Sequence, residues 1–460
     1  MHRRRLCIVL AALALAGCTS NRPSDPAASS SSRTPTSSPG TSSPTPAPAD
    51  WPTYHGDALR TGVSTTMPPV SGAPVRSQAV GLDGAAYASP IVAGGRVYVA
   101  TENDTVYALT TDGHQLWKAH LGEPSPAGER PCGNIDPLGI TGTPVYSGGV
   151  VYVAAGYGGP VRHELVALDA ATGAVRWRKG IDLPGADPVV MQERGALAVT
   201  AGRVWVPFGG LNGDCGDYKG RVVGVPLDGE GNAIAYTVPT TREAGIWTPP
   251  GPSVDDRGRL LVAVGNGASV QGDPYDFSDS VLAISPEAKL LDSFSPATWA
   301  SDNAGDRDLG SQGPAVVGKW VFTAGKSGTA YVLRLDRLGG VGGQVSEADL
   351  CRSFGGTAVV GDVVYVPCTD GLRAVRIDGA GQLHVLWHAD GSITGSPVVG
   401  GGRIWALDTG AGVLHALDPD TGRSTGSVEV GRVNRFATPA LYGRQAFVPT
   451  LAGMAVVATS

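Results

Sequence analysis

The chain has 460 residues, 67 of them Gly and 35 Pro, and only 17% are charged. So many turn formers and so few charges argue against long salt-bridged helices and for an all-β body, and about three average domains' worth of length also suits one large propeller or barrel. The formal charge of −6 falls to −9, 32 basic against 41 acidic, if Arg3, Arg4 and Arg5 leave with an export signal; with Lys scarce and no basic cluster, no nucleic-acid partner is expected.

His2-Arg3-Arg4-Arg5 precedes an apolar run from Leu6 to Ala16, the charged and hydrophobic regions of a signal peptide over residues 1–17. The run is too short to span a membrane. It ends in Leu15-Ala16-Gly17-Cys18, which resembles the bacterial lipobox and implies a lipid anchor, diacylglycerol with fatty acid such as palmitate, on Cys18. Residues 18–50 are mostly Ser, Thr, Pro, Ala and Gly, a composition that cannot bury enough apolar surface to fold. They read as a tether reaching roughly 30 Å as a random coil. The expected location is the extracytoplasmic face of the cell membrane. The Arg-rich composition and Ser/Thr/Pro tether resemble actinobacterial lipoproteins; in a two-membrane bacterium Thr19 would instead permit the outer membrane or periplasm.

From Trp51 onward one phrase recurs: Ser/Thr-Pro, Gly, an alternating Val/Tyr/Trp strand, a strand ending Ala-Leu, then Thr-Gly and often Trp. Ser89-Pro90 leads to Val97-Tyr98-Val99, Ala108-Leu109, Gly113 and Trp117; Thr143-Pro144 leads to Val151-Tyr152-Val153, Ala167-Leu168-Asp169, Thr172-Gly173 and Trp177. Ser396-Pro397 and Thr438-Pro439 open two further copies, and Val204-Trp205-Val206, Leu260-Leu261-Val262, Trp320-Val321-Phe322 and Val363-Val364-Tyr365-Val366 mark four weaker ones. Eight such units predict an eight-bladed β-propeller of four-stranded blades over 51–460. The last copy lacks a strand, and Pro74 to Leu82 has no blade of its own, so this N-terminal strand should close the ring and remove its free edge.

At these residues the chain resembles the PQQ-like repeat superfamily, with its Tyr-Val strand, Ala-Leu-Asp strand, Thr-Gly turn and Trp that packs on a neighbouring blade. The resemblance implies the fold. It leaves function open, because the superfamily holds both calcium-dependent quinoprotein dehydrogenases using PQQ and cofactor-free lipoproteins such as the scaffold of the outer-membrane assembly machinery. Quinoprotein alcohol dehydrogenases characteristically carry adjacent cysteines over the cofactor, and this chain has no Cys-Cys pair.

The insertion-rich middle holds the candidate sites. Asp136, Asp214, Asp217, Trp247, Asp276 and Asp279 are expected to face a ligand, and Asp302, Asp306 and Asp308 could hold a hard cation such as calcium. Asp and Asn also abound in turns for local reasons, and the last three lack the spacing of an EF-hand loop. His384 and His388 lack a third zinc ligand. Gly313 to Lys319 nearly spells a phosphate loop, but Trp320 stands where Ser or Thr would hold magnesium, and no Gly-x-Ser-x-Gly elbow is present. Once Cys7 leaves and Cys18 is lipidated, four cysteines remain, and export favours disulfides. The preferred pairs are Cys132 with Cys215, in insertions of nearby blades, and Cys351 with Cys368, flanking one hairpin. No catalytic set is complete, so the leading expectation is a monomeric, non-catalytic binding or assembly platform for an envelope protein or cell-wall ligand, with no cofactor. The alternatives are a PQQ- and calcium-dependent dehydrogenase and a carbohydrate- or cell-wall-binding protein.

Overall fold

In the computed structural model, residues 48–459 are described, and they form an eight-bladed β-propeller. The signal peptide, Cys18 and nearly all of the tether lie outside the described residues. The blades run 91–120, 145–180, 198–237, 253–295, 315–349, 358–388 and 398–429, with 440–458 completing the eighth. Within each, consecutive strands pair antiparallel and the first strands contact those of neighbouring blades, lining the central channel. Alternation explains the layering. Arg96–Ala100, a second strand, is almost wholly buried, whereas Gln115–His120, an outermost strand, leaves every residue but Trp117 at least partly exposed.

Val75–Gly81 pairs antiparallel with Gly453–Ala458, so the N-terminal strand supplies the eighth blade's missing member, as the sequence predicted. Adjacent blades are further locked by tryptophan on glycine. Trp117 of blade 1 donates its indole N–H to Ala170 O at 3.2 Å and lies over Gly173 of blade 2, where a Cβ would sit 2.6 Å from the ring. Gly173 also has φ +76°, which favours glycine. Trp387 of blade 6 lies on Gly422 in the same way. Trp117→Ala should therefore cost about 3–5 kcal/mol and Gly173→Ala about 1–2 kcal/mol from backbone conformation alone. An unchanged urea midpoint in Trp117→Ala would remove this locking role.

The segment 51–64, which has no strand-like alternation, fills the channel. It enters beside the first-hairpin turns of blades 8 and 1, near Gly443 and Gly94. Trp51 exchanges backbone hydrogen bonds with Val92, Pro52 O accepts from Tyr146 N, Ala58 O from Val254 N, Thr61 O from Val359 N and Gly62 O from Val399 N. Thr53 Oγ1 donates to Leu197 O at 3.3 Å, and His55 bonds Thr357 O at 3.0 Å and Thr438 Oγ1 at 3.3 Å. Blades 1, 2, 3, 4, 6, 7 and 8 are thus tied to one plug. The innermost strands present unpaired backbone groups to the channel, and this segment satisfies them.

Candidate functional site at the open mouth of the channel

The first two strands of a blade are antiparallel, so the loop entering the first and the loop leaving the second lie on one face. On the face opposite the plug's point of entrance these loops surround a cavity of about 320 Å³, within the roughly 300–1,000 Å³ of small-molecule sites. Tyr87, Arg194, Trp247, Phe354, Arg435 and Phe436 come from loops entering inner strands; Asn212, Asp214, Asn266 and Lys326 come from loops leaving second strands.

Cations and aromatic rings alternate around the mouth. The Arg435 guanidinium lies 3.7 Å from the Phe354 centroid and 5.6 Å from that of Phe436. Arg194 lies 4.6 Å over Phe436, Phe436 meets Trp247 edge-on at 6.3 Å, and Lys326 Nζ is 5.9 Å from Trp247. Lys326 ion-pairs with Asp306 at 2.6 Å and Asp308 at 2.5 Å. Arg194 and Arg435 have no ion pair or hydrogen bond to protein among the described residues. Burial pushes Arg194 down to about 10, against the opposing pull of Glu102 and Tyr87; burial and then Arg352 lower Arg435. Burial raises the Asp308 carboxyl although Lys326 opposes it. Burial alone would lower Lys326, but Asp308 and Asp306 outweigh it and hold the ammonium above its usual value.

Beside the mouth, Glu102, Asp104 and Glu193 are each 5% exposed or less. Glu102 Oε2 accepts from Gly139 N at 2.9 Å and Thr141 Oγ1 at 3.2 Å, and Glu193 Oε2 accepts from Gly142 N at 3.2 Å. Two buried carboxylates thereby clamp the Gly139–Gly142 turn. Burial pushes Glu102 up to about 7 and Asp104 to about 9, the latter with repulsion from Glu102, and raises Glu193 well above the carboxylate range.

Of the residues singled out in the sequence, Trp247, Asp214 and Asp308 line the cavity. Asp214 Oδ1 accepts from Tyr218 Oη at 2.6 Å. Asp136 is exposed and accepts from Ala127 N at 2.8 Å; Asp217 is exposed, 3.9 Å from Arg242. Asp276 is buried, bonded by Thr240, Ser269 and Ser278. Asp279 is fully buried, with Oδ1 accepting from Leu309 N at 2.9 Å and Oδ2 without a partner. Asp302 lies on a short helix, Trp299–Ala304, and bonds Arg307 at 2.9 Å and Thr298 at 2.6 Å, while Asp306 and Asp308 turn to Lys326. The three therefore do not converge. Among the described residues the one metal-like grouping is Cys351, Cys368 and Asp370, and its sulfurs are joined. Both disulfides, Cys132–Cys215 and Cys351–Cys368, are formed.

The sequence reading passed over Arg194, Lys326, Phe354, Arg435 and Phe436. A signal was available in the repeat register: Tyr87 precedes Ser89-Pro90 as Arg435-Phe436 precedes Thr438-Pro439. The last residues before each inner strand always point to the same end of the channel.

A family model described as outer membrane protein assembly factor BamB matches residues 66–135 and 136–214. Over 144 residues the chain is 31% identical to a polyvinylalcohol dehydrogenase of Sphingopyxis sp. (strain 113P3), a match covering 26% of this chain and 21% of that protein. The chain thus spans about a fifth of the length of that curated relative. Among solved structures it resembles the quinohemoprotein alcohol dehydrogenase of Comamonas testosteroni, with TM-score 0.68 and 17% identity over 89% of this chain and 80% of that one. The quinohemoprotein alcohol dehydrogenase ADHIIG of Pseudomonas putida HK5 gives 0.69 and 15% over 90% and 80%. BamB from Moraxella catarrhalis gives 0.57 and 17% over 84% and 100%. At such identities the structural likeness is one of fold. Over residues 66–214 the chain therefore carries PQQ-like repeats, within an eight-bladed β-propeller.

Proposed function

We propose that this chain is a quinoprotein-type dehydrogenase, carried outside the cytoplasm on a lipid anchor at Cys18, with PQQ seated in the open mouth of its propeller. The observation that carries this reading is the pair of arginines, Arg194 and Arg435, facing a cavity of about 320 Å³ with no carboxylate partner among the described residues. PQQ is a flat tricarboxylate, and guanidinium groups pair with carboxylates in a planar, bidentate fashion. Trp247 and Phe436 supply aromatic surface beside them. The quinohemoprotein and polyvinylalcohol dehydrogenases that the chain resembles support the reading.

When bound, the quinone supplies a two-electron acceptor. The chain's own part is to hold and orient it through Arg194 and Arg435 and to place Asp308 at the cavity wall as a proton acceptor for an alcohol hydroxyl. Burial favours a protonated Asp308 carboxyl and Lys326 steadies the ionised form, which brings it towards the range useful for general-base work. Calcium does not share this fit. Asp302 is engaged by Arg307 and Thr298, and the Lys326 ammonium neutralises Asp306 and Asp308. No step is assigned to a metal.

Titrating purified protein with PQQ, with and without calcium, should quench Trp fluorescence at one equivalent and enable dye-linked alcohol oxidation without a calcium requirement. Absence of saturable binding would sink the proposal. The rival platform reading, for an envelope protein or cell-wall ligand, draws on the assembly-factor match over residues 66–214. PQQ binding without turnover of any alcohol would favour it over catalysis.

A further inference from the structure

One wall of the mouth is built from segments far apart in sequence: the connection between blades 1 and 2, and the loop after the second strand of blade 3. Each is organised separately. In the first, Arg130 donates to Ile135 O at 2.7 Å, Ala127 N donates to Asp136 Oδ1 at 2.8 Å, and Ser125 and Leu138 exchange backbone hydrogen bonds. In the second, Leu211 N donates to Val190 O and Tyr218 Oη to Asp214 Oδ1. Among the described residues no hydrogen bond joins 127–138 to 211–218. What joins them is the Cys132–Cys215 disulfide, spanning 83 residues, and a small apolar cluster of Ile135, Leu138 and Leu211 beside Tyr87.

Both segments reach the cavity. Asn134 comes from one, and Asn212, Gly213 and Asp214 from the other, with Gly213 lying against Cys132. Cys132 and Cys215 are half-buried, whereas Cys351 and Cys368 are 9% and 1% exposed. We propose that the Cys132–Cys215 disulfide is a redox-operated latch that holds this wall of the mouth closed over its ligand. A dithiol reductant attacks one sulfur as thiolate, the S–S bond breaks, and the reagent's second thiol completes the exchange. Two electrons and two protons pass to Cys132 and Cys215, which become thiols, and the dithiol closes to a cyclic disulfide. Three aliphatic side chains then remain to hold the segments together. The opening of the wall stands independently; release of the ligand rests on the reading given above.

Amide hydrogen exchange on the full chain tests both halves, with mild dithiothreitol, the Cys132→Ser/Cys215→Ser variant and PQQ as the probe. Exchange in 127–138 and 211–218 should accelerate at least tenfold while the blade strands stay protected, and PQQ should dissociate at least tenfold faster. Cys351→Ser/Cys368→Ser should leave that wall's exchange unchanged. Unaltered exchange in both the reduced protein and the Cys132→Ser/Cys215→Ser variant would overturn the latch, as would PQQ leaving open and closed walls at one rate. If exchange accelerates and PQQ binds neither form, the wall's latch survives and the cofactor reading falls.

Discussion

Replacing Arg194 or Arg435 by Ala is expected to weaken PQQ binding by about 10- to 150-fold each, because a charge-assisted hydrogen bond contributes about 1.5–3 kcal/mol. The two side chains share the Phe436 ring as a neighbour, at 4.6 and 5.6 Å, so their effects should not add fully. Lys in place of either should recover only part of the loss, since an ammonium cannot reproduce the planar fork. Among the described residues neither arginine holds a protein carboxylate, so stability should fall only by the lost contacts with Phe354 and Phe436, about 0.5–2 kcal/mol. Arg76→Ala, on the exposed outer strand of blade 8, is the control. Fluorescence titration reads the affinities, and unchanged affinity in both single variants would place the quinone elsewhere.

Acidification should attack the plug. His55 is fully buried and desolvation pushes it down to about 3, from 6.5 in an unfolded chain. Between these values the unfolded chain binds a proton that the native protein excludes, so the contribution of His55 to stability falls as pH drops from 6.5 towards 3. The slope is about 1.4 kcal/mol per pH unit, up to about 4–5 kcal/mol in total. Glu102 and Asp104 act with opposite sign. Their native values, about 7 and about 9, lie above the unfolded ones, so their contribution is complete at low pH and is lost as pH rises through those values. With the same slope and two groups they outweigh the His55 loss between pH 4 and 7, so the histidine is read from the difference between two proteins. His55→Asn should be less stable than the parent at pH 7, and the two curves should converge towards pH 4 in urea denaturation. Parallel curves would exclude His55 as the source. In the same plug, Arg60→Ala should cost about 3 kcal/mol or more. It leaves Pro252 O, Tyr54 O and Thr53 Oγ1 without their donor and Leu197 O with that of Thr53 alone.

The motifs that could be read in one dimension concern local geometry. A Tyr98-type strand after a Gly-rich turn, Thr172-Gly173 before a Trp, and a spare stretch at Pro74 to Leu82 each constrain backbone and side chain within a few residues, and each reappears as blade, lock and closing strand. The disulfide pairs were similarly legible, Cys132 with Cys215 from insertions of nearby blades and Cys351 with Cys368 from the one hairpin they flank.

The site obeys different physics. Whether Asp276 meets a ligand or three hydroxyl-bearing residues depends on Thr240, 36 residues away, as well as on Ser269 and Ser278 of its own loop. Asp302 and Asp308 are close in sequence but face Arg307 and Lys326, so spacing could not decide between a metal cluster and separate ion pairs. The sequence by itself determined the repeating blade, its count and its closure, because hydrophobic alternation and turn chemistry act locally. Only the tertiary structure decided that residues 51–64 fill the channel and that Arg194 and Arg435 converge on the mouth with no carboxylate partner among the described residues. Those arrangements follow from closing the ring, which turns inner-strand edges inward and gathers the loops of every blade around one axis.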